Sequence, residues 1–199
     1  MSFGAIILAA GASSRMGGET KQLAKLNGKA LVSHVAEAAL GAALDPIIVV
    51  LGHEADKVRA ALADDVNGDR VLLPVASPRY KEGMAESLKV GAAALPDDID
   101  GAFILLADMP FVTAGLLAQI RAGFTPDKFA AAPVWNGQRG NPVLLSPRAL
   151  GMIANLSGDR GLGPILNQRA DEIVLVSASD DACLRDIDTP EALKDARGG

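Results

Sequence analysis

Residues 3–23 read FGAIILAAGASSRMGGETKQL, an apolar run that breaks without pause into a loop rich in glycine and serine. The run FGAIILAA (3–10) has no polar position, so no alternation leaves one face wet. It reads as a strand buried on both sides. PIIVVL (46–51), RVLLPV (70–75), GAFILLA (101–107) and EIVLVS (172–177) share the near-continuous pattern. Helical stretches fall between these runs. Residues 30–44 space Leu31, Val35, Ala38, Ala39 and Ala42 along one face, and residues 84–95 form a second candidate. Thr113 is placed to cap a helix burying Leu116, Leu117 and Ile120, while Ser146-Pro147 and Thr189-Pro190 each pair an N-cap with proline at the first helical position. Strand–helix alternation of this kind predicts a doubly wound, mostly parallel α/β sheet, Rossmann-like in class. KFAAAPVWNGQRGNPVLL (128–145) breaks the pattern. With turn residues at Asn136-Gly137 it reads as a small hairpin insertion, a flap over the site.

The loop after the first run is built to meet an anion. Gly11 allows an unusual turn and close backbone approach, and Ala9, Ala10 and Ala12 leave room beside it for a base or ribose. Successive N–H groups can form a nest, with Ser13 and Ser14 as further donors. Arg15 brings a rigid fork of donors and Lys21 a mobile point charge. Two familiar phosphate loops fail here. Walker A needs glycine where Met16 stands, and Ala12-Ser13 occupy the place of the second glycine of the dinucleotide fingerprint. The failed fingerprint argues against a dehydrogenase. The pattern that runs without a gap from Leu8 to Gly17 is L-A-A-G-x-S-x-R-M-G. The plain alternative is a solvated surface loop.

Composition narrows the partners. The chain has 199 residues, enough for one domain with a sizeable core, and a net charge of −5. An acidic balance argues against duplex nucleic acid, which needs a broad basic surface. No apolar run approaches the roughly 20 residues of a membrane helix, and no signal-peptide pattern opens the chain. The single cysteine, Cys183, excludes an internal disulfide and suits a reducing cytoplasm. His34 and His53 stand without ligand spacing for zinc, and no serine has a hydrolase context. Trp135 and Tyr80 read as packing residues before stacking ones.

In an open parallel sheet, ligands sit beyond the carboxyl ends of the strands. Asp108-Met109-Pro110 follows GAFILLA, so its carboxylate would share a rim with the Gly11 loop. There it could hold Mg²⁺ through oxygen ligands, or simply serve as a turn residue. At this point the chain resembles the nucleotidyltransferases with a glycosyltransferase-A-like Rossmann fold, and within them the molybdenum cofactor cytidylyltransferases. The resemblance runs in order from Leu8 to Glu191. It implies that Leu8, Ala9, Ala10, Gly11, Ala12, Ser13, Arg15 and Lys21 bind the nucleotide. Gly83 and Ser87 of the segment GMAESL (83–88) would lie against cytidine, with backbone near Pro74 reading the base edge. Ser77-Pro78 departs from the family's usual Asn-Pro.

RGNPV (139–143) is similar to a family segment that more often carries histidine where Asn141 stands. Gly158 and Asp159 of GDRG (158–161) would meet the pterin. Asp186 or Asp188, in DIDTPE (186–191), would join Asp108 at the metal, although a helix cap at Thr189 explains half of that motif. The implied reaction is transfer of CMP from CTP to the phosphate of the molybdenum–molybdopterin cofactor, releasing pyrophosphate. Arg15, Lys21 and Asp108 would carry the catalysis, with Mg²⁺ as cofactor. A molybdoenzyme or its chaperone is a further partner on this reading, and a monomer is expected. The alternatives are a guanylyltransferase of the same cofactor, a sugar- or polyol-phosphate nucleotidyltransferase, and a non-catalytic nucleotide-binding partner of a molybdoenzyme.

Overall fold

The computed structural model describes residues 1–12, 20–66 and 72–198. Strand β1 (Phe3–Ala9) lies between two parallel neighbours, β4 (Ile47–Leu51) and β6 (Gly101–Leu106), with Ala5 opposite both Ile47 and Phe103. Flanked on both edges and covered on both faces, β1 can carry no polar side chain. Two short strands, β2 (Lys25–Leu26) and β3 (Lys29–Ala30), pair separately. The remaining strands are β5 (Leu72–Ala76), β7 (Ala130–Trp135), β8 (Gln138–Arg139), β9 (Val143–Leu145) and β10 (Ile173–Ser177). The main sheet runs in the order β10-β7-β9-β6-β1-β4-β5, and β8 pairs with β7. The β9 strand is antiparallel to both neighbours, while β1, β4, β5 and β6 are mutually parallel.

Side-chain alternation divides the core in two. Phe3, Ala5, Ile7 and Ala9 face a layer formed by α1 (Leu31–Gly41), α2 (Ala55–Asp65) and α4 (Ala114–Gly123). Ile6 and Ala10 face the opposite layer, with α3 (Met84–Ala93), α5 (Pro147–Gly151) and α6 (Gly163–Gln168). Helix α7 (Pro190–Gly198) packs Leu193 with Leu26 and Ile187 in a small satellite cluster. The expected caps form: Thr113 Oγ1 accepts from Leu116 N–H at 3.2 Å, Ser146 Oγ from Ala149 N–H at 3.3 Å, and Thr189 Oγ1 from Ala192 N–H at 3.2 Å. Helix α1 takes its cap from elsewhere, since Asp65 accepts from Ala30 N–H at 2.8 Å and from the Ser33 hydroxyl at 2.9 Å.

Two expectations are corrected. The stretch after Phe129 is no flap: β7 enters the main sheet between β10 and β9, and only β7–β8 forms a hairpin, turning at Asn136 and Gly137 with positive φ. Its Pro133 is tolerated because β9 pairs only with Ala130 and Ala131, so no ladder bond is lost there. Two of the runs read as doubly buried are edge strands, leaving Leu73 of β5 and Leu175 of β10 exposed. Helix α2 buries only Val58 and Leu62, too thin an apolar stripe to stand out in the sequence.

The order of connections places the site. The chain steps outward from β1 through β4 to β5, then returns to β6 on the other side of β1. Loops leaving β1 and β6 therefore diverge, and a crevice opens between them at the carboxyl ends of the strands.

Candidate functional site

Gly11 opens that crevice from the β1 side and Asp108 from the β6 side. Leu8, Ala10, Gly11, Lys21, Ser87, Asp108 and Asp159 line one cleft of about 200 Å³. Ala9 does not reach it, being fully buried towards α1, and Ala12 is exposed beyond Gly11. Ser13 and Arg15, with Ser14, lie outside the described residues. Both ends of that loop are nonetheless anchored. At its entry, Ala10 O accepts from His53 N–H at 3.1 Å and Gly11 O accepts from the buried Gln22 Nε2 at 3.0 Å. At its exit, the buried Thr20 hydroxyl donates to Glu54, which also holds Lys57. Glu54 adopts a left-handed conformation with φ 50°, uncommon for such a residue and held here by those two partners. Gly52 leaves no room for substitution: a Cβ would lie 2.7 Å from Ala10 O and from Tyr80 Cγ.

The charged wall is made by the ends of distant segments. Ile187 N–H donates to Asp108 O at 2.8 Å, which draws residues 186–188 alongside the end of β6. Carboxylate oxygens of Asp108, Asp186 and Asp188 then lie within 4.8 Å of one another. The Lys21 ammonium donates to Asp108 Oδ2 at 2.5 Å and also pairs with Asp188. Burial works against the lysine's charge, but Asp108 and then Asp188 more than offset it, raising its pKa above the ordinary value. Burial, aided by the charges of Asp188 and Asp108, pushes the Asp186 carboxyl up. Among the described residues, the buried Asp108 Oδ1 accepts no hydrogen bond. An all-oxygen trio with an unsatisfied buried acceptor fits a hard divalent cation such as Mg²⁺.

The far wall is less charged. Tyr80 lines the cleft and faces the His53 ring at 6.5 Å between centroids, so it is a site residue as well as a packing one. Ser87 is buried, with its hydroxyl 3.4 Å from that of Ser77. Gly83 precedes α3 with φ 121°, packed against Gly158. Pro74 is not brought here. It sits mid-strand in β5, over a separate depression formed with Val49, Leu62 and Val66. Trp135 packs against the core on the α1 side.

A second cavity, about 290 Å³, adjoins the cleft and shares Leu8, Met84 and Leu106 with it. Arg139, Asn141 and Arg160 bring polar groups to an apolar floor that includes Leu88, Val143 and Leu166. Asn141 is fixed by its N–H, which donates to Cys183 O at 2.9 Å. Sequence reasoning missed Gln22, Thr20, Gly52 and Glu54. Gln22 and Thr20 stood beside Lys21 in the opening stretch, but nothing in their spacing marks them as anchors. Gly52-His53-Glu54, directly after a buried strand, carried the same kind of signal as Gly11.

A family model described as the MobA-like NTP transferase domain matches residues 5–173. The bifunctional protein GlmU of Mycobacterium avium is 28% identical over 179 residues, covering 89% of this chain and 33% of that protein. The chain thus spans about a third of the length of such relatives. Nicotine blue oxidoreductase of Paenarthrobacter nicotinovorans is 26% identical over 195 residues, 94% of this chain and 93% of that protein. Among solved structures, Rv0371c of Mycobacterium tuberculosis superposes with a TM-score of 0.83 at 26% identity, covering 100% of this chain and 99% of the other.

Proposed function

Since the chain belongs to the family of MobA-like NTP transferase domains, we propose that it transfers CMP from CTP to the phosphate of the molybdenum–molybdopterin cofactor and releases pyrophosphate. One observation carries the nucleotidyl-transfer reading. Lys21 sits between Asp108 and Asp188 at the strand ends, beside the Gly11 loop that follows β1. The unbroken Leu8–Gly17 motif and the segments at 83–88, 158–161 and 186–191 support the cytidylyl branch.

The chemistry asks for little proton transfer. An oxygen of the acceptor phosphate attacks the α-phosphorus, the bond to the β-phosphate oxygen breaks, and the electron pair leaves with pyrophosphate. The acceptor is already an anion, so the protein's task is to position two repelling anions and to absorb the charge growing on the leaving group. Lys21 and Arg15 meet that charge on the β- and γ-phosphates. Ala10, Gly11, Tyr80 and Ser87 shape the space for the nucleoside. Asn141 and Arg160, in the adjoining cavity, face the acceptor. Asp108, with Asp188 and Asp186, would hold Mg²⁺, which when bound neutralises phosphate charge.

The likeness to nicotine blue oxidoreductase raises a redox reading, but a lysine shared between carboxylates favours phosphoryl chemistry. Residues 1–199 act on this account as one domain, as a monomer in the cytoplasm, passing product to a molybdoenzyme or its chaperone. Among the described residues, no helix is long and apolar enough to cross a membrane. Thermal shift with CTP, GTP, UTP and ATP, each with and without Mg²⁺, tests the nucleotide choice by mass action. Selective stabilisation by CTP with Mg²⁺ is expected, and a preference for GTP would move the chain to the guanylyl branch.

A further inference from the structure

We propose that Asp159 is a positioning residue for the nucleotide, capping the helix that carries one wall of the nucleotide cleft; this rests on the transferase reading above. The resemblance places Asp159 against the acceptor instead. Its hydrogen bonding points the other way.

Helix α3 begins at Met84 after Gly83, which has no side chain to offer the first N–H groups. Those donors are satisfied by a segment more than 70 residues further along the chain. Met84 N–H donates to Asp159 Oδ1 at 3.1 Å, and Ala85 N–H donates to Gly158 O at 3.1 Å. The two segments are also in direct backbone contact, since a Cβ on Gly83 would stand 2.5 Å from both Gly158 C and Gly158 O. The first turn of α3 therefore cannot settle independently of residues 158–159. That turn supplies Met84 and Ser87 to the nucleotide cleft, and Asp159 itself reaches the same cleft.

The same turn continues into the second cavity. Arg160 and Gly161 line it, and a Cβ on Gly161 would lie 2.7 Å from Met84 Sδ. The backbone N–H of Met84 is thus fixed by the Asp159 cap, while its side chain runs close over Gly161. A carboxylate at a helix N-terminus is favourable both as an acceptor and as a negative charge near the positive end. Asp159 is exposed, so the cap can be made and lost without unfolding the core. Asp159 acts on the nucleotide through α3, and the segment that holds the cap also forms the acceptor cavity.

Two measurements on D159A and D159N test this. Amide exchange in nucleotide-free protein reads the cap directly: D159A should lose several-fold protection at Met84 and Ala85, while D159N, whose Oδ1 still accepts, keeps most of it. Calorimetric titration with CTP and Mg²⁺, without acceptor, should give a dissociation constant roughly three- to tenfold weaker in D159A, from the typical worth of an N-cap. D159N should stay near wild type. An unchanged nucleotide affinity in D159A, or equal exchange in all three proteins, overturns the inference. Wild-type protein that binds no nucleoside triphosphate overturns the transferase reading, and with it the nucleotide role of Asp159, whatever the exchange data show.

Discussion

Replacing Lys21 by methionine removes a positive charge held between Asp108 and Asp188 while keeping most of the side chain's volume. The side chains of Lys21, Asp108 and Asp188 are 18%, 16% and 33% exposed, so water can reach the pair only partly. Breaking a buried ion pair by removing one partner costs about 3–5 kcal/mol. The one-third exposure of Asp188 lets solvent recover some of that, which leaves about 2–3 kcal/mol. In a domain of this size each kcal/mol moves the melting temperature by about 2–4 °C, so a drop of about 4–12 °C is expected without divalent cation. The vacated position faces three carboxylates and the unsatisfied Asp108 Oδ1. A divalent cation should therefore stabilise the variant more than the wild type, where it must first displace the ammonium. At a hundredfold excess over the dissociation constant, binding returns about 2.7 kcal/mol. Melting curves of both proteins with and without MgCl₂ or MnCl₂ provide the assay. The reasoning is refuted if K21M melts with the wild type in the absence of cation, or if cation raises both by the same amount.

Other perturbations reach different links of the account. D108N keeps the shape of the side chain but removes its charge, so kcat should fall at least hundredfold while circular dichroism stays native. Near-normal turnover at saturating Mg²⁺ would remove Asp108 from the site. G52A drives a Cβ to 2.7 Å from Ala10 O and Tyr80 Cγ, which should cost about 1–3 kcal/mol in urea unfolding and weaken nucleotide binding. An unchanged midpoint and affinity would show that Gly52 does not set the loop. At Asp65, burial opposes the charge, but the Ala30 amide, the Ser33 hydroxyl and then Lys25 and Lys29 more than offset it and hold its pKa below the ordinary value. The stabilisation is present above the unfolded carboxylate's pKa and is lost as pH falls through the folded one. The stability gap between wild type and D65N should therefore narrow on acidification from pH 5, and a gap independent of pH would contradict this role.

The sheet's centre was legible because β1, β4 and β6 are buried on both faces, a condition that excludes polar residues and leaves an unmistakable run. Its edges were not. Burial on one face alone would have left alternation in β5 and β10, yet Leu73 and Leu175 are apolar and exposed. Strand β7 is hard to read because AAAPVW carries neither alternation nor β-branched bulk until Val134, and its place in the sheet is decided by pairing with β9 and with β10, the latter distant in sequence. Asp108 could be placed on the rim from its position after a buried strand, since topology fixes where strand ends point. Its meeting with Asp188 could not be read from spacing, because a backbone bond from Ile187 to Asp108 across almost 80 residues brings it about. Pro74 lies apart because it sits mid-strand in β5 at the edge of the sheet, over a separate depression and away from the strand ends that form the crevice.

The most direct test of nucleotidyl transfer is to incubate the protein with CTP, Mg²⁺ and the molybdenum–molybdopterin cofactor, and to follow pyrophosphate release alongside the nucleotide product by mass spectrometry. The account predicts stoichiometric pyrophosphate and cytidine dinucleotide cofactor, formed with CTP in preference to GTP and abolished in D108N. Intact CTP and no pyrophosphate, from protein that melts cooperatively and binds the nucleotide, would contradict it.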